Sequence, residues 1–241
     1  MFFPITKAST RKGGGLSAEA LTEKDKKDLM FALKQNVDYM AISYPRSEED
    51  MQIARDLLNK YDGNTGLIAK IERTEAVANL DDIINASDGV MVARGDLAVE
   101  IGEAHVPLVQ KQIINRARAL NKPVITATQM MESMITESVP TRAEVSDVAN
   151  AVLDQTDAIM LSAESAVGAH PALVIEMMTK TCMAVEVEPE THVSGHRLEC
   201  QFDKNDEAIA MATMYTANHL DIRAIVALTE TGSTTLWMSR I

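Results

Sequence analysis

The sequence predicts an α/β protein built on a parallel β-sheet, and two observations support this fold class. Short apolar runs rich in β-branched residues alternate with amphipathic stretches of helical spacing. The runs are apolar at consecutive positions, as in parallel strands that are buried on both faces. They lie at residues 38–44, 67–71, 89–93, 123–127 and 157–161. This repeated βα pattern is typical of a parallel sheet or of a (β/α)8 barrel.

The stretches between the runs carry recognisable helix starts. Thr22 is followed three residues later by Asp25, and Thr141 is followed in the same way by Glu144, so both segments predict capping boxes. After Glu144, four apolar side chains fall on one helical face, at Val145, Val148, Ala149 and Val152. We therefore expect helices to alternate with the strands.

The spacing of the runs allows the strands of a barrel to be counted. Five strand starts give about 30 residues per βα unit, consistent with a barrel of about 250 residues. Three more units would need roughly 90 residues before Asp38, where the chain has 37. We therefore expect an incomplete (β/α)8 TIM barrel of about five βα units.

The residues after these runs predict the start of another domain. Helical patterns at 171–187 and 206–220 flank a polar stretch, and a predicted strand at 222–228 precedes a helix that begins near Gly232. The pattern divides the chain into an unrelated or disordered start at 1–12, a partial TIM-barrel domain at 13–187, and a linker with the first βα unit of an α/β C-terminal domain at 188–241. We expect a chain that is cut at both ends.

Composition and charge exclude several classes of protein. A formal net charge of −12 argues against nucleic-acid binding, which needs a basic surface. The only cysteines are Cys182 and Cys200, so there is no disulfide framework and we expect a reducing compartment. No apolar run reaches the length of a membrane span, and the first residues lack a signal-peptide pattern. We expect a cytoplasmic protein with no membrane partner.

Charged residues follow two neighbouring strands of the predicted sheet. Lys70 and Glu72 end one strand at a spacing of two, and Gly95 and Asp96 follow the next strand. In parallel α/β folds such strand ends carry the chemistry. Two carboxylates suit Mg²⁺, which takes one or two protein carboxylates and completes its shell with water and substrate oxygens. The alternatives are surface charges that cap two strands, or an adhesion motif in the tripeptide that starts at Arg94.

Hydroxyl residues follow two further strands. Thr128 comes after the run at 123–127, and Ser162 comes after the run at 157–161. A hydroxyl at a strand end can orient water or relay a proton, and an ordinary helix N-cap is the alternative at both positions. Four successive strands therefore end in polar residues of catalytic type, which favours a site.

A polar segment at 229–235 follows the predicted strand at 222–228 and opens a helix. Its amides and hydroxyls could hold a phosphate group, and an ordinary capped turn between strand and helix is the alternative. The residues that would take part are Thr229, Thr231, Gly232, Ser233 and Thr234.

Five motifs, taken together, closely resemble pyruvate kinase in its bacterial form, over residues 13–241. They are IAKIERTEAV, ASDGVMVARGDLAVEIG, KPVITATQMMESM, PTRAEVSDVANAVLDQTDAIMLSAESAVG and VALTETGSTT. The resemblance implies a glycolytic phosphotransferase, which transfers a phosphoryl group between phosphoenolpyruvate and ADP to give pyruvate and ATP. It also implies Mg²⁺ or Mn²⁺, and usually K⁺, as cofactors.

The resemblance assigns roles to the charged strand ends. Glu72 and Asp96 would be the protein ligands of the divalent metal. Lys70 would stabilise the transferring phosphoryl group and the enolate that remains. The backbone amides of Gly95 and Asp96, at a helix start, would hold the substrate carboxylate.

The resemblance also implies roles for the hydroxyl residues. Thr128 would lie near the methylene carbon that is protonated, and Ser162 would belong to the proton relay. The segment at 229–235 would bind a sugar-phosphate effector, and the chain would form a homo-oligomer, which is a tetramer in the family.

The chain departs from the family pattern at three positions and in its extent. Ala98 replaces the usual glycine after the RGDL motif, Ser165 replaces a threonine, and Ser233 stands where a basic residue often occurs. The first three barrel strands, with residues of the nucleotide, phosphate and K⁺ sites, have no counterpart here, nor has the lid domain or most of the C-terminal domain. We expect the metal and carboxylate half of the site without the ADP half.

Two other functions are compatible with parts of this pattern. One is a metal-dependent aldolase or lyase of the phosphoenolpyruvate/pyruvate barrel group, which also pairs Glu and Asp around Mg²⁺. The motifs TATQMMESM and MLSAES argue against it. The other is a non-catalytic remnant that serves only in assembly.

Overall fold

The computed structural model describes residues 21–61, 64–188, 201–202, 204–220 and 222–240. These residues contain a five-stranded sheet. Its strands are β1 (Tyr39–Ile42), β2 (Gly66–Ile71), β3 (Gly89–Ala93), β4 (Val124–Ala127) and β5 (Ala158–Met160). Each of the five apolar runs therefore forms a strand, with small shifts at the ends.

The sheet is parallel throughout, and its strand order is the order of the chain. Each strand pairs only with its sequence neighbours, from β1 through to β5. A doubly wound sheet would reverse its order part of the way along, whereas a barrel adds its strands consecutively. The α/β fold class, with five βα units in barrel order, is confirmed. Because all five strands run the same way, their carboxyl ends lie along one edge.

Helices connect the strands and follow them. Within the described residues they are α1 (Glu23–Leu33), α2 (Glu48–Lys60), α3 (Thr74–Ala78), α4 (Leu80–Ala86), α5 (Arg94–Ile101), α6 (Val106–Ala119), α7 (Arg142–Leu153), α8 (Ala163–Ala166), α9 (Pro171–Glu186), α10 (Asn205–His219) and α11 (Ser233–Met238). Short 3₁₀ turns lie at Glu103–His105 and Glu132–Ile135. None of these helices has the length and apolar character that crossing a bilayer requires.

Both predicted capping boxes are present. Thr22 accepts a hydrogen bond from the Asp25 amide, and the Asp25 carboxylate accepts one from the Thr22 amide at 2.8 Å. Thr141 and Glu144 form the same pair of bonds at the start of α7. These bonds satisfy backbone amides that the first helical turn leaves without a partner. The local sequence therefore determines where both helices begin.

The core lies around the middle of the sheet. All five residues of β3 are buried, which explains why that strand is apolar at every position. Side chains from β2, β3, β4 and the helices α2, α4 and α6 form the larger of two apolar clusters. A second cluster joins Met130, Met131 and Met134 to residues of α7 and α9. The methionines thus fill space between the β4 loop and two helices.

The predicted strand at 222–228 is wrong. The structure has no strand there, and the side chains of Val226 and Leu228 are 88% and 95% exposed. A strand needs a neighbour to take its backbone hydrogen bonds, and the described part of the chain places none beside this segment. The helices predicted around it are confirmed as α10 and α11.

The predicted start at 1–12 and most of the predicted linker lie outside the described residues. The C-terminal segment contacts the barrel-like part through an ion pair, in which Arg240 Nη1 lies 2.5 Å from Asp157 Oδ1. Asp157 precedes β5 and also accepts a bond from the Val124 amide. The domain boundaries stay predictions.

We expect Glu144 to stabilise the fold through its charge. Partial burial opposes its ionisation, but hydrogen bonds from Ser133 and Thr141 outweigh this effect and lower the pKa of Glu144. The stabilisation is therefore present above the unfolded-state pKa of about 4.3 and is lost as the pH falls through the lower folded value. Glu144→Gln should lower the free energy of unfolding by about 1–2 kcal/mol at neutral pH.

Urea denaturation followed by circular dichroism, at a series of pH values, measures this difference. Glu137→Gln is the matched control, because Glu137 is exposed in the same region and only its backbone amide contacts Ser133. An effect of Glu144→Gln that is the same at pH about 3 and at neutral pH would contradict a role for the charge.

Candidate active site

The polar residues predicted at the strand ends lie along one edge of the sheet. Lys70 is in β2 and Glu72 follows it directly; Gly95 and Asp96 are in the first turn of α5, which begins where β3 ends; Thr128 follows β4 and Ser162 follows β5. Parallel pairing of the four strands brings these positions side by side. The negative charge of Asp96 is favourable at the first turn of α5 because of the helix dipole.

Glu72 is a buried carboxylate whose two oxygens have different contacts. Oε2 accepts a hydrogen bond of 2.8 Å from the Tyr44 amide. Oε1 lies 2.5 Å from Lys70 Nζ as an ion pair, yet has no hydrogen-bond partner of normal geometry among the described residues. Burial raises the pKa of Glu72, against the influence of Lys70, and the charge of Asp96 raises it further. A buried oxygen in this condition suits a cation ligand.

Lys70 is held between two strand ends. Its ammonium donates to Ser43 Oγ at 3.1 Å as well as pairing with Glu72. Its side chain is 24% exposed, so Lys70 is partly accessible to solvent. The sequence patterns did not single out Ser43, although it follows β1 as the other site residues follow their strands.

Tyr44, next to Ser43, was also missed. Its backbone is left-handed, with φ of 57°, and its amide holds Glu72. Burial, together with the charges of Asp96 and Glu72, raises the pKa of Tyr44 to about 12. The phenol therefore remains protonated at neutral pH and donates a hydrogen bond to Asp96, with the charge of Glu72 nearby.

Thr128 links the ends of β3 and β4. Its Oγ1 accepts a hydrogen bond of 2.9 Å from the Gly95 amide. The amide that was predicted to hold a substrate carboxylate is therefore engaged, and binding there requires this bond to open or to be shared. The hydroxyl proton of Thr128 is still available for donation. No α-helix begins at Thr128, so the N-cap alternative is wrong for this residue.

Ser162 precedes the short helix α8, and its side chain makes no capping hydrogen bond there. Its amide donates to Glu164 Oε2 at 2.7 Å, and Glu164 is buried. The other oxygen of Glu164 accepts from the Met131 amide at 3.4 Å. Glu164 thus ties the loop after β5 to the loop after β4, a structural role that the sequence patterns did not reveal.

Burial of Arg94 argues against the adhesion alternative. The side chain of Arg94 is 9% exposed and forms an ion pair with Asp147 on α7. An adhesion motif requires its arginine at the surface of an exposed loop, whereas this tripeptide starts a helix behind a buried strand. The neighbouring Ala98 is helical and is not among the residues with positive φ in the described part of the chain. Replacement of glycine therefore causes no backbone strain at that position.

The segment at 229–235 forms a compact turn. Gly232 is left-handed, with φ of 80°, and its amide donates to Thr229 Oγ1 at 3.0 Å. Thr231 Oγ1 donates to Ser233 Oγ, also at 3.0 Å. These hydroxyls bond within the turn, as in the capped-turn alternative. The effector site, including Thr234, stays a prediction.

The two carboxylates fit an open magnesium site better than a metal site that protein ligands close on all sides. Within the described ranges there is no group of three or more His, Cys, Asp or Glu side chains arranged to hold a metal. Mg²⁺ usually takes one or two carboxylates and keeps several oxygens for water and phosphate. Glu72, which is buried, and Asp96, which is near enough for its charge to act on Glu72, match that requirement.

Comparison with known families identifies two domains in the chain. The pattern of the pyruvate kinase barrel domain matches residues 5–175. The pattern of the pyruvate kinase alpha/beta domain matches residues 207–241. The resemblance inferred from the five motifs is thereby confirmed.

Known proteins similar to the chain carry the same name. Pyruvate kinase of Buchnera aphidicola subsp. Acyrthosiphon pisum and pyruvate kinase II of Salmonella typhimurium are each 56% identical over 239 residues, which is 98% of this chain and 50% of theirs. Pyruvate kinase of Clostridium acetobutylicum is 45% identical over 225 residues, covering 92% of this chain and 47% of its own. The chain spans about half the length of the curated relatives it matches.

We expect Gly95→Ala to separate stability from ligand binding. A Cβ at Gly95 would meet Thr128 Oγ1 at 3.7 Å, an ordinary contact. Because glycine disfavours helices, the free energy of unfolding should rise by up to about 1 kcal/mol. The added methyl would stand beside the amides predicted to hold a substrate carboxylate, so affinity for phosphoenolpyruvate with Mg²⁺ should fall roughly tenfold.

Urea denaturation and calorimetric titration measure the two effects. Ala98→Gly in the same helix is the control, with the opposite change in stability and no change in affinity. Unchanged phosphoenolpyruvate affinity in Gly95→Ala would show that this helix start is not the anion site.

Proposed function

The chain belongs to the pyruvate kinase family, and on that premise we propose that it carries the metal and enolate side of a phosphoryl-transfer site. The reaction is transfer between phosphoenolpyruvate and ADP, giving pyruvate and ATP. The chain spans about half of its relatives' length, so the proposal concerns the half-reaction that its own residues can support. Membership of the family excludes the aldolase or lyase alternative.

The observation that supports this proposal most is the state of Glu72. Glu72 is fully buried, and although its Oε1 pairs with the Lys70 ammonium at 2.5 Å, burial still raises the pKa of Glu72. Asp96 is close enough for its charge to raise the pKa of Glu72. The single positive charge of Lys70 therefore does not fully compensate the two carboxylates, and a divalent cation would relieve the remaining repulsion.

Glu72 and Asp96 would hold Mg²⁺ or Mn²⁺. When bound, the metal supplies Lewis-acid stabilisation of negative charge on phosphoryl and enolate oxygens. Lys70, which Ser43 and Glu72 hold in place, contributes a second positive charge on the same side. Phosphoryl transfer depends mainly on such positioning and charge neutralisation.

Thr128 and the start of α5 would act on the organic part of the substrate. The amides of Gly95 and Asp96 bind its carboxylate at the positive end of the helix. Thr128, whose Oγ1 contacts Gly95, donates a proton toward the methylene carbon, with Ser162 in the relay behind it. These residues orient the enolate and move its proton, while the charge of Lys70 stabilises it.

A sugar-phosphate effector at 229–234 and homo-oligomer formation are further parts of the proposal, whereas ADP and K⁺ belong to the whole reaction and none of the residues named above is proposed to bind them. They rest on membership of the family. A cytoplasmic location has the same basis.

Glu72→Gln should weaken binding of Mn²⁺ at least about tenfold, because a neutral amide replaces the buried charged ligand. Electron paramagnetic resonance of free Mn²⁺ gives the affinity, and competition by Mg²⁺ identifies the same site. Glu176→Gln, on the exposed face of α9, is the matched control. Equal Mn²⁺ affinity in wild type and Glu72→Gln would refute the metal site.

Two assays then test the chemistry. Exchange of pyruvate methyl protons with solvent deuterium, in the presence of Mg²⁺, requires only the enolate side of the site. Pyruvate formation from phosphoenolpyruvate and ADP, with Mg²⁺ and K⁺, requires the whole reaction, at about 1–100 s⁻¹ for an ordinary kinase. Metal binding without exchange or turnover would support the assembly-only alternative.

A further inference from the structure

The loop after β4 has an unusual backbone. Thr128 and Gln129 are both left-handed, with φ of 70° and 54°. This conformation is disfavoured for residues with a Cβ, and for a β-branched threonine it is an outlier. Two such residues in succession persist only when the surrounding structure fixes them. The question is which group fixes them.

The side chain of Arg94 contacts this loop directly. Its Nη2 donates to the Thr128 carbonyl at 2.5 Å, and its Nε lies 3.2 Å from the same oxygen. Nε also lies 3.3 Å from the Ala127 carbonyl. A third nitrogen, Nη1, donates to Asp147 Oδ2 at 2.6 Å. The planar guanidinium is therefore anchored on α7 while it holds the carbonyls of Ala127, at the end of β4, and of Thr128.

Holding the Thr128 carbonyl fixes the peptide plane between Thr128 and Gln129. That plane sets ψ of Thr128 and constrains φ of Gln129, so the contacts of Arg94 favour the left-handed pair. In this conformation the hydroxyl of Thr128 is directed at the Gly95 amide, 2.9 Å away. Arg94 and Gly95 are consecutive, so one turn of α5 holds the loop through its side chain and meets the loop's hydroxyl through its backbone.

We propose that Arg94 is a positioning residue, which holds the loop after β4 in its left-handed conformation and so places the Thr128 hydroxyl against the start of α5. In this proposal it acts through Thr128 and not on the substrate directly. The importance of this positioning for catalysis rests on the proposed function, in which Thr128 is the proton donor and the start of α5 binds the substrate carboxylate. The clamp itself is a property of the fold and can be measured without any ligand.

A lysine cannot replace this arginine. Arg94 uses three nitrogens of a rigid fork on two consecutive backbone carbonyls and one carboxylate, whereas an ammonium is a point charge on a flexible chain. Arg94→Lys should therefore release the loop while it preserves the charge next to Asp147. The hydrogen bond from the Gly95 amide to Thr128 should open more often as a consequence.

Amide hydrogen exchange, followed by NMR on the ¹⁵N-labelled chain without metal, measures that opening. In Arg94→Lys the Gly95 amide should exchange roughly tenfold faster relative to amides in β3. Arg116→Lys is the matched control, because Arg116 pairs with Asp81 on an exposed surface. Asp147→Asn provides a second variant, which removes the anchor from Arg94 and should give a smaller increase.

A compensating change tests the mechanism. Glycine adopts the left-handed region without strain, so Gln129→Gly should restore much of the Gly95 protection when combined with Arg94→Lys. Alone, Gln129→Gly should change it little. In the pyruvate proton-exchange assay, Arg94→Lys should lower the rate of proton exchange, and the double variant should partly restore that rate.

The outcomes distinguish the two proposals. Faster Gly95 exchange that Gln129→Gly reverses supports the clamp, whether or not the chain turns over pyruvate. Unchanged Gly95 exchange in both Arg94→Lys and Asp147→Asn overturns it, as does a double variant no better than Arg94→Lys. If Arg94→Lys does not fold, Asp147→Asn with and without Gln129→Gly decides by the same criteria. Failure of the wild-type chain to bind Mn²⁺ or to exchange pyruvate protons would instead count against the proposed function.

Discussion

Parallel backbone pairing of five consecutive strands is the interaction on which the rest of the structure depends. It brings every strand's carboxyl end to one edge, so residues far apart in the chain become neighbours. The buried apolar strand β3 sits at the centre of that arrangement and fixes the register of its neighbours. Without it, Lys70 and Glu72 after one strand and Asp96 after the next would be unrelated charges.

Two energetically unfavourable features lie along this edge of the sheet. Glu72 is removed from water yet only partly compensated, and Thr128 adopts a backbone that threonine avoids. Functional sites commonly store such costs, which the remainder of the fold must outweigh. Here the well-packed cluster around β2, β3 and β4 and the capping boxes of α1 and α7 supply that stability.

The sequence predicted what depends on local pattern. Strand positions followed from apolar runs and helix starts followed from Thr22 and Thr141, because periodicity and capping act over a few residues. The prediction of a strand at 222–228 was wrong because strand pairing is not local. The same residues form a strand only beside a partner strand. The roles of Tyr44 and Glu164 were hidden for a similar reason, since each acts through contacts between different strand ends. The sequence shows Arg94 as part of a motif, but it does not show that the side chain of Arg94 is buried.

The sheet has two open edges in the described part of the chain, one along β1 and one along β5. Each presents backbone groups that can accept another strand, and Tyr39 on β1 is 58% exposed. The net charge of −12 keeps copies of the chain apart by long-range repulsion. Added salt shortens the range of that repulsion but leaves backbone hydrogen bonding intact. The colloidal behaviour of this chain is thus governed by ionic strength, with self-association favoured as salt rises.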